Sequence, residues 1–149
     1  MKGGGRANFA KRERRGGLAW YFCSMPASSP KKILVIEDDP VAQKMLTDFL
    51  VAKGYHVHWA QNGADGIELA GLVDPDLVLC DVLLPRKSGF EVCFELKRAA
   101  SGKDRPVILM SAILAGDADQ RYAKEGLRAD AFFAKPFSMN AMLSRIQQL

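Results

Sequence analysis

The amino-acid sequence predicts an α/β domain built as a doubly wound, five-stranded parallel sheet with five helices. Two observations carry that expectation. From Lys31 onward, short strand-sized apolar runs alternate five times with segments of helical period, which is the rhythm of repeated βα units. Polar residues avoid the interiors of those runs and collect where the runs end. Right-handed crossovers place helices on both sheet faces and the carboxyl-end loops along one edge, so function is to be sought there.

Taken in order, Ile33 to Ile36 reads as a buried strand, and Asp39-Pro40 supplies a helix cap and first turn. Val41, Met45 and Phe49, with their neighbours Ala42, Leu46 and Leu50, recur at helical spacing, and Gly54 provides a left-handed stop. His56 to Ala60 is the second strand, and Asn62 caps a helix reaching about Leu72. After the Asp74-Pro75 break, Asp76 to Cys80 forms the third strand. Ser88 caps a third helix with Phe90, Cys93 and Leu96 inward, and Pro106 opens the strand Val107 to Met110. A fourth helix runs from about Asp117 to Gly126, and Asp130 to Ala134 is the last strand. Ser138 caps a final helix whose Met139, Met142, Leu143 and Ile146 make one apolar stripe.

Composition narrows the class further. The 149 residues, 48% apolar and 26% charged, suit one globular domain. No apolar run approaches the roughly 18 residues of a membrane span. Cys23, Cys80 and Cys93 show neither CxxC spacing nor an even count, which points to a reducing, cytoplasmic setting. The net charge of +4 is unevenly placed. Lys2, Arg6, Lys11, Arg12, Arg14 and Arg15 against Glu13 give residues 1–30 a charge of +5, and residues 31–149 carry −1. The domain therefore lacks an electrostatic footprint for nucleic acid, and neither direct nucleic-acid binding nor membrane association is expected. Residues 1–30, rich in Gly and Arg, read as a disordered leader left by an upstream-extended start or by cloning, and 31–149 as the domain. The last helix leaves no residues for an output domain.

The chemistry lies in the carboxyl-end loops. The first strand ends in Glu37-Asp38-Asp39, the third in Asp81, the fourth in Ser111 and the fifth in Lys135-Pro136. If the first and third strands are neighbours, Glu37, Asp38 and Asp81 crowd together and repel, so a cation is needed. Hard carboxylate oxygens suit Mg²⁺, which takes few protein ligands and shares phosphate oxygens. Asp81 is then the candidate nucleophile for a phosphoryl group, with Ser111 donating to one phosphoryl oxygen and Lys135 pairing with another. Asp39 is left to cap the helix.

Four blocks carry a family resemblance: Ile33 to Pro40, Asp81 to Gly89, Met110 to Ala112, and Ala134 to Phe137. They resemble the signature blocks of response regulator receiver domains, and the resemblance covers residues 31–149. It implies the flavodoxin-like receiver fold with strand order 2-1-3-4-5 and Asp81 as the phosphoacceptor. It also implies Glu37, Asp38, Asp81 and the backbone carbonyl of Leu83 as Mg²⁺ ligands, Lys135 as a catalytic residue, Ser111 as a catalytic residue and the switch hydroxyl, and Phe132 as the switch aromatic. The implied function is that of a phosphoacceptor module in a two-component phosphorelay. It is charged by a histidine kinase or histidine phosphotransfer protein and acts on a downstream protein target; it is not a turnover enzyme. A phosphate-independent pseudo-receiver scaffold and a receiver fragment of a larger regulator or hybrid kinase are the alternatives.

The remaining features have plainer readings. His56 and His58 share one strand face and read as a partly exposed edge rather than a metal pair. Cys80 reads as an inert small apolar residue. Arg86 and Lys87 either assist an anionic donor or are solvated loop charge. Leu83 and Ile113, each two residues past a site residue, form an apolar rim that cannot orient an attacking water, which predicts a long-lived acyl phosphate.

Overall fold

The computed structural model describes residues 29–99, 104–113 and 116–149. Of the expected basic leader, residues 1–30, residues 1–28 with Cys23 lie outside the described residues. The elements are β1 (Lys32–Ile36), α1 (Pro40–Ala52), β2 (His56–Ala60), α2 (Gly63–Val73), β3 (Leu77–Asp81), α3 (Gly89–Arg98), β4 (Val107–Ser111), α4 (Asp117–Arg121), β5 (Ala131–Ala134) and α5 (Met139–Gln148). All strand pairs are parallel, in the order 2-1-3-4-5. No helix among the described residues is long and apolar enough to cross a membrane.

Strand alternation builds two cores. Ile33, Val35, Leu77, Leu79, Ile108 and Met110 face α1 and α5, meeting Leu46, Leu50, Met142 and Ile146. Leu34, Ile36, Val78, Cys80, Val107 and Leu109 face the other helices, meeting Ala70, Val92, Cys93, Leu96 and Ala123. The central strands are buried on both faces, which is why their sequences are continuous apolar runs rather than alternating ones. The helix starts follow from their caps: Asp39, Asn62 and Ser138 accept from Val41, Asp65 and Ala141 backbone N–H groups. Ser88 forms a reciprocal capping box with Glu91. Gly54 takes the left-handed conformation (φ 92°) that ends the first helical unit.

Three expectations are corrected. β3 and β4 extend one residue further, so Asp81 and Ser111 are the last paired residues of their strands. The apolar positions expected at helical spacing on α1 are not equally covered: Leu46 and Leu50 are buried, whereas Val41 and Met45 are 65% and 59% exposed. Leu46 and Leu50, four apart, form the stripe over the sheet, and Val41 and Met45 fall on its flank. The fourth helix is α-helical only through Arg121 and then opens into a π-helical turn, Tyr122–Gly126. The wider turn, closed by Leu127 N–H donating to the Tyr122 carbonyl, leaves both Ala123 and Leu127 against the core.

Candidate functional site

The strand ends are tied to one another before any side chain is considered. Glu37 N–H donates to the Ala60 carbonyl, Val82 N–H to the Met110 carbonyl, and Lys135 N–H to the Ser111 carbonyl. These bonds align the carboxyl end of β1 with that of β2, and those of β3, β4 and β5 with one another. Of the four polar side chains buried among the described residues, three gather here: Glu37, Asp81 and Ser111. The fourth, Arg105, donates to the Pro75 carbonyl and to Asp74 at the opposite end of the sheet.

Glu37 is almost fully buried, and both of its carboxylate oxygens are engaged. Oε1 accepts from Asp39 N–H at 3.2 Å and Oε2 accepts from Lys135 Nζ at 2.6 Å. Lys135 Nζ also lies 3.6 Å from Asp81 Oδ2. One oxygen from each of Glu37, Asp38 and Asp81 lies within 4.8 Å of the others, with Asp38 exposed and the other two buried. This arrangement suits a hard divalent cation with open positions facing solvent. The Leu83 carbonyl accepts no hydrogen bond among the described residues, and Leu83 is half exposed.

The electrostatics report the crowding. Burial, and then the charge of Glu37, push the Asp81 carboxyl from 3.8 up to about 6, while the Lys135 ammonium pulls the other way. Burial pulls the Lys135 ammonium down, but its hydrogen bond to Glu37 and the charge of Asp81 outweigh this and hold it above its ordinary value. Three acids, Glu37, Asp38 and Asp81, therefore face the single base Lys135.

Ser111 Oγ accepts from Ile113 N–H at 3.2 Å, which ties the hydroxyl to the loop after β4. Phe132 is half-buried against the core on the α2–α3 side, the face that Ser111 also shares by strand alternation. Arg86 and Lys87 are both paired, with Asp65 and Glu95 respectively. Leu83 and Ile113 are both exposed. Cys80 is fully buried, its thiol directed to the Asp81 carbonyl at 3.3 Å, and burial first of all raises it well above the ordinary thiol range. His56 and His58 lie with ring centroids 4.8 Å apart, and burial, His56 and Lys32 hold His58 below its ordinary value. The one group of three or more potential metal ligands among the described residues is the acidic cluster. Sequence reasoning read Asn62 as a helix cap and did not single out Gly63, whose backbone packs on the loop after Asp81; nothing in local sequence signals that contact.

Similarity to known proteins agrees with this geometry. The family described as response regulator receiver domain matches residues 33–147. The chain is 35% identical over 118 residues to the DNA-binding dual master transcriptional regulator RpaA of Synechocystis sp., covering 79% of this chain and 48% of that protein. It is 34% identical over 120 residues to the response regulator MprA of Mycobacterium sp., covering 80% and 50%. The chain thus spans about half the length of these curated relatives. Among solved structures, the signal receiver domain of a signal transduction histidine kinase from Syntrophus aciditrophicus superposes with a TM-score of 0.71 at 31% identity, covering 79% and 88%. With the strand order, the acidic cluster and the distant lysine already in place, these matches settle the assignment: the chain belongs to the response regulator receiver domain family.

Proposed function

We propose that this chain accepts a phosphoryl group on Asp81 from a phosphohistidine and uses it to switch a protein-binding face. The observation that carries this reading is the convergence of Glu37, Asp38, Asp81 and Lys135 from three strand ends, with Lys135 Nζ 2.6 Å from Glu37 and 3.6 Å from Asp81. An Asp81 oxygen attacks phosphorus, the phosphorus–nitrogen bond breaks, and the histidine leaves with its electron pair and takes up a proton. The product is an acyl phosphate. Glu37, Asp38, Asp81 and the Leu83 carbonyl would hold magnesium, which would supply neutralisation of the phosphoryl oxygens. Lys135 pairs with one phosphoryl oxygen while remaining hydrogen-bonded to Glu37.

The switch follows from the Ser111 contact. Turning its hydroxyl toward a phosphoryl oxygen trades the bond from Ile113 N–H for a charge-assisted one, and the loop after β4 is released or drawn with it. Space vacated beside β4 admits the Phe132 ring, which lies on the same sheet face. Phosphate shifts the population only by binding one of these arrangements better than the other.

The donor is a histidine kinase or histidine phosphotransfer protein. A concave apolar surface of Ala42, Met45, Ala112, Pro136, Phe137 and Met139 borders Glu37 and Lys135 and can receive a donor helix. The near-neutral charge of residues 31–149 favours a protein target over direct contact with nucleic acid, the cytoplasm is the fitting compartment, and the role is signalling rather than turnover.

Incubation with acetyl phosphate and Mg²⁺, followed by intact-mass measurement, tests the reading. One phosphoryl adduct is expected, lost on chelation of the metal and absent from Asp81→Asn. A chain that stays unmodified is a phosphate-independent scaffold, and sustained release of phosphate from diverse esters makes it a hydrolase.

A further inference from the structure

The first turn of α2 lies directly on the loop joining β3 to α3. A Cβ placed on Gly63 would stand 2.2 Å from the Lys87 carbonyl oxygen and 2.9 Å from its carbonyl carbon, so backbone meets backbone there with no room for any side chain. Gly63 opens an ordinary α-helix capped by Asn62. Its missing side chain is therefore demanded by the loop and not by the turn. Gly63 N–H approaches the Pro85 carbonyl at 3.4 Å, an oxygen that also accepts from Lys87 N–H at 2.9 Å. Two residues along α2, Asp65 Oδ1 accepts from Arg86 Nη1 at 3.2 Å. Arg86 itself is in the left-handed region, φ 70°, a conformation a non-glycine residue keeps only when its surroundings hold it there.

The loop's other end is held in the same way. A Cβ on Gly89 would fall 2.2 Å from the Asp81 carbonyl oxygen and 2.7 Å from Val82 Cα, and Gly89 N–H donates to the Val82 carbonyl at 2.9 Å. Residues 82–88 are thus pinned at one end by their own strand and at the other by a neighbouring helix. Between the pins sits Leu83, whose carbonyl accepts no hydrogen bond among the described residues.

We propose that Gly63 is a positioning residue for the divalent ion: the N-terminus of α2 sets the height of the loop after β3, and so where the Leu83 carbonyl is offered beside Asp81. This rests on the magnesium reading of the acidic cluster. Pushing the loop away from α2 displaces one oxygen of a set that Mg²⁺ requires in near-octahedral order, whereas Ca²⁺ accepts longer and more variable contacts. Loss of the pin therefore costs Mg²⁺ more than Ca²⁺, a signature that general destabilisation does not produce.

Calorimetric titration of the full chain with MgCl₂ and, separately, with CaCl₂ tests this in Gly63→Ala and Arg86→Gly, alongside metal-free melting curves. Arg86→Gly removes the contact with Asp65 and relaxes the left-handed residue without adding bulk, so it carries the test even if Gly63→Ala does not fold. The expected result is a fall of about tenfold in Mg²⁺ affinity for Gly63→Ala with less than about threefold for Ca²⁺, and a smaller shift of the same kind for Arg86→Gly. Equal losses for the two ions, or unchanged Mg²⁺ affinity, overturn the positioning role alone. Failure of the unaltered chain to bind Mg²⁺ at all overturns the metal reading and the inference with it.

Discussion

Asp81→Asn is expected to make the metal-free protein more stable at neutral pH, although it removes the proposed phosphoacceptor. The Asp81 carboxyl is held up to about 6 in the folded chain against an ordinary 3.8, first by burial and then by Glu37. A raised carboxyl binds its proton more tightly when folded, so stability is intact below about pH 4 and declines as pH rises through about 6. At about 1.4 kcal/mol per pH unit, the gap corresponds to about 3 kcal/mol of ionisation penalty at pH 7.5. At pH 4.5, where the unfolded carboxyl is itself largely ionised but the folded one is not, about 1 kcal/mol remains. Asparagine keeps the shape and omits the charge. For a domain of this length, about 3 kcal/mol is about 10 °C in melting temperature. Calorimetry in a chelator at the two pH values measures both gaps. If Mg²⁺ binds the folded wild type through Asp81, as proposed, saturating Mg²⁺ is expected to narrow the difference at pH 7.5. An asparagine variant no more stable than the parent at pH 7.5, or one whose advantage grows toward pH 4.5, refutes the claim that burial, with Glu37 beside it, makes the Asp81 charge costly in the folded chain.

Lys135→Met is expected to abolish phosphoryl acceptance. It also costs about 3 kcal/mol in urea unfolding, because the almost fully buried Glu37 loses its cationic partner. Ser111→Ala is expected to leave adduct formation by mass largely intact while the phosphate-induced shift of the Phe132 ring, read by NMR of labelled phenylalanine, disappears. Leu83→Asn combined with Ile113→Glu gives the exposed rim groups that can orient water, and the lifetime of the acyl phosphate is expected to shorten by about tenfold; an unchanged lifetime sinks the rim argument. Leu50→Ala, at a fully buried α1 position, is expected to lower stability by about 3 kcal/mol in denaturant titration, whereas Met45→Ala on the exposed flank costs less than about 1 kcal/mol.

Much of this molecule is local and therefore legible. Asp39, Asn62, Ser88 and Ser138 announce their helices because a short side-chain acceptor is what orphan amides at a helix start require. The apolar runs announce their strands, and the polar residues at the run ends announce the edge where chemistry sits. The division of α1 was not legible. Val41 and Met45 are as apolar as Leu46 and Leu50, and only the angle at which the helix crosses the sheet decides which pair is covered. The π-helical turn at Tyr122–Gly126 was hidden for a related reason: its residues follow a helical pattern, and the extra residue per turn answers to the core beneath Ala123 and Leu127.

What the chain's order of residues determined by itself is the succession of strands and helices, the caps that start them, and the placing of Glu37, Asp38, Asp81, Ser111 and Lys135 at strand ends. Which of those ends are neighbours is a different matter. Runs such as Ile33 to Ile36, Leu77 to Cys80 and Val107 to Met110 are chemically interchangeable, so nothing within them specifies that β1 lies between β2 and β3. The tertiary fold alone decided that, by burying both sheet faces under helices. It thereby brought Lys135 within 2.6 Å of a carboxylate 98 residues away in sequence and set the backbone of Gly63 against Lys87. Contacts of that range depend on where whole layers come to rest, because a side chain's reach is a few ångströms and only packing of complete elements spans the rest.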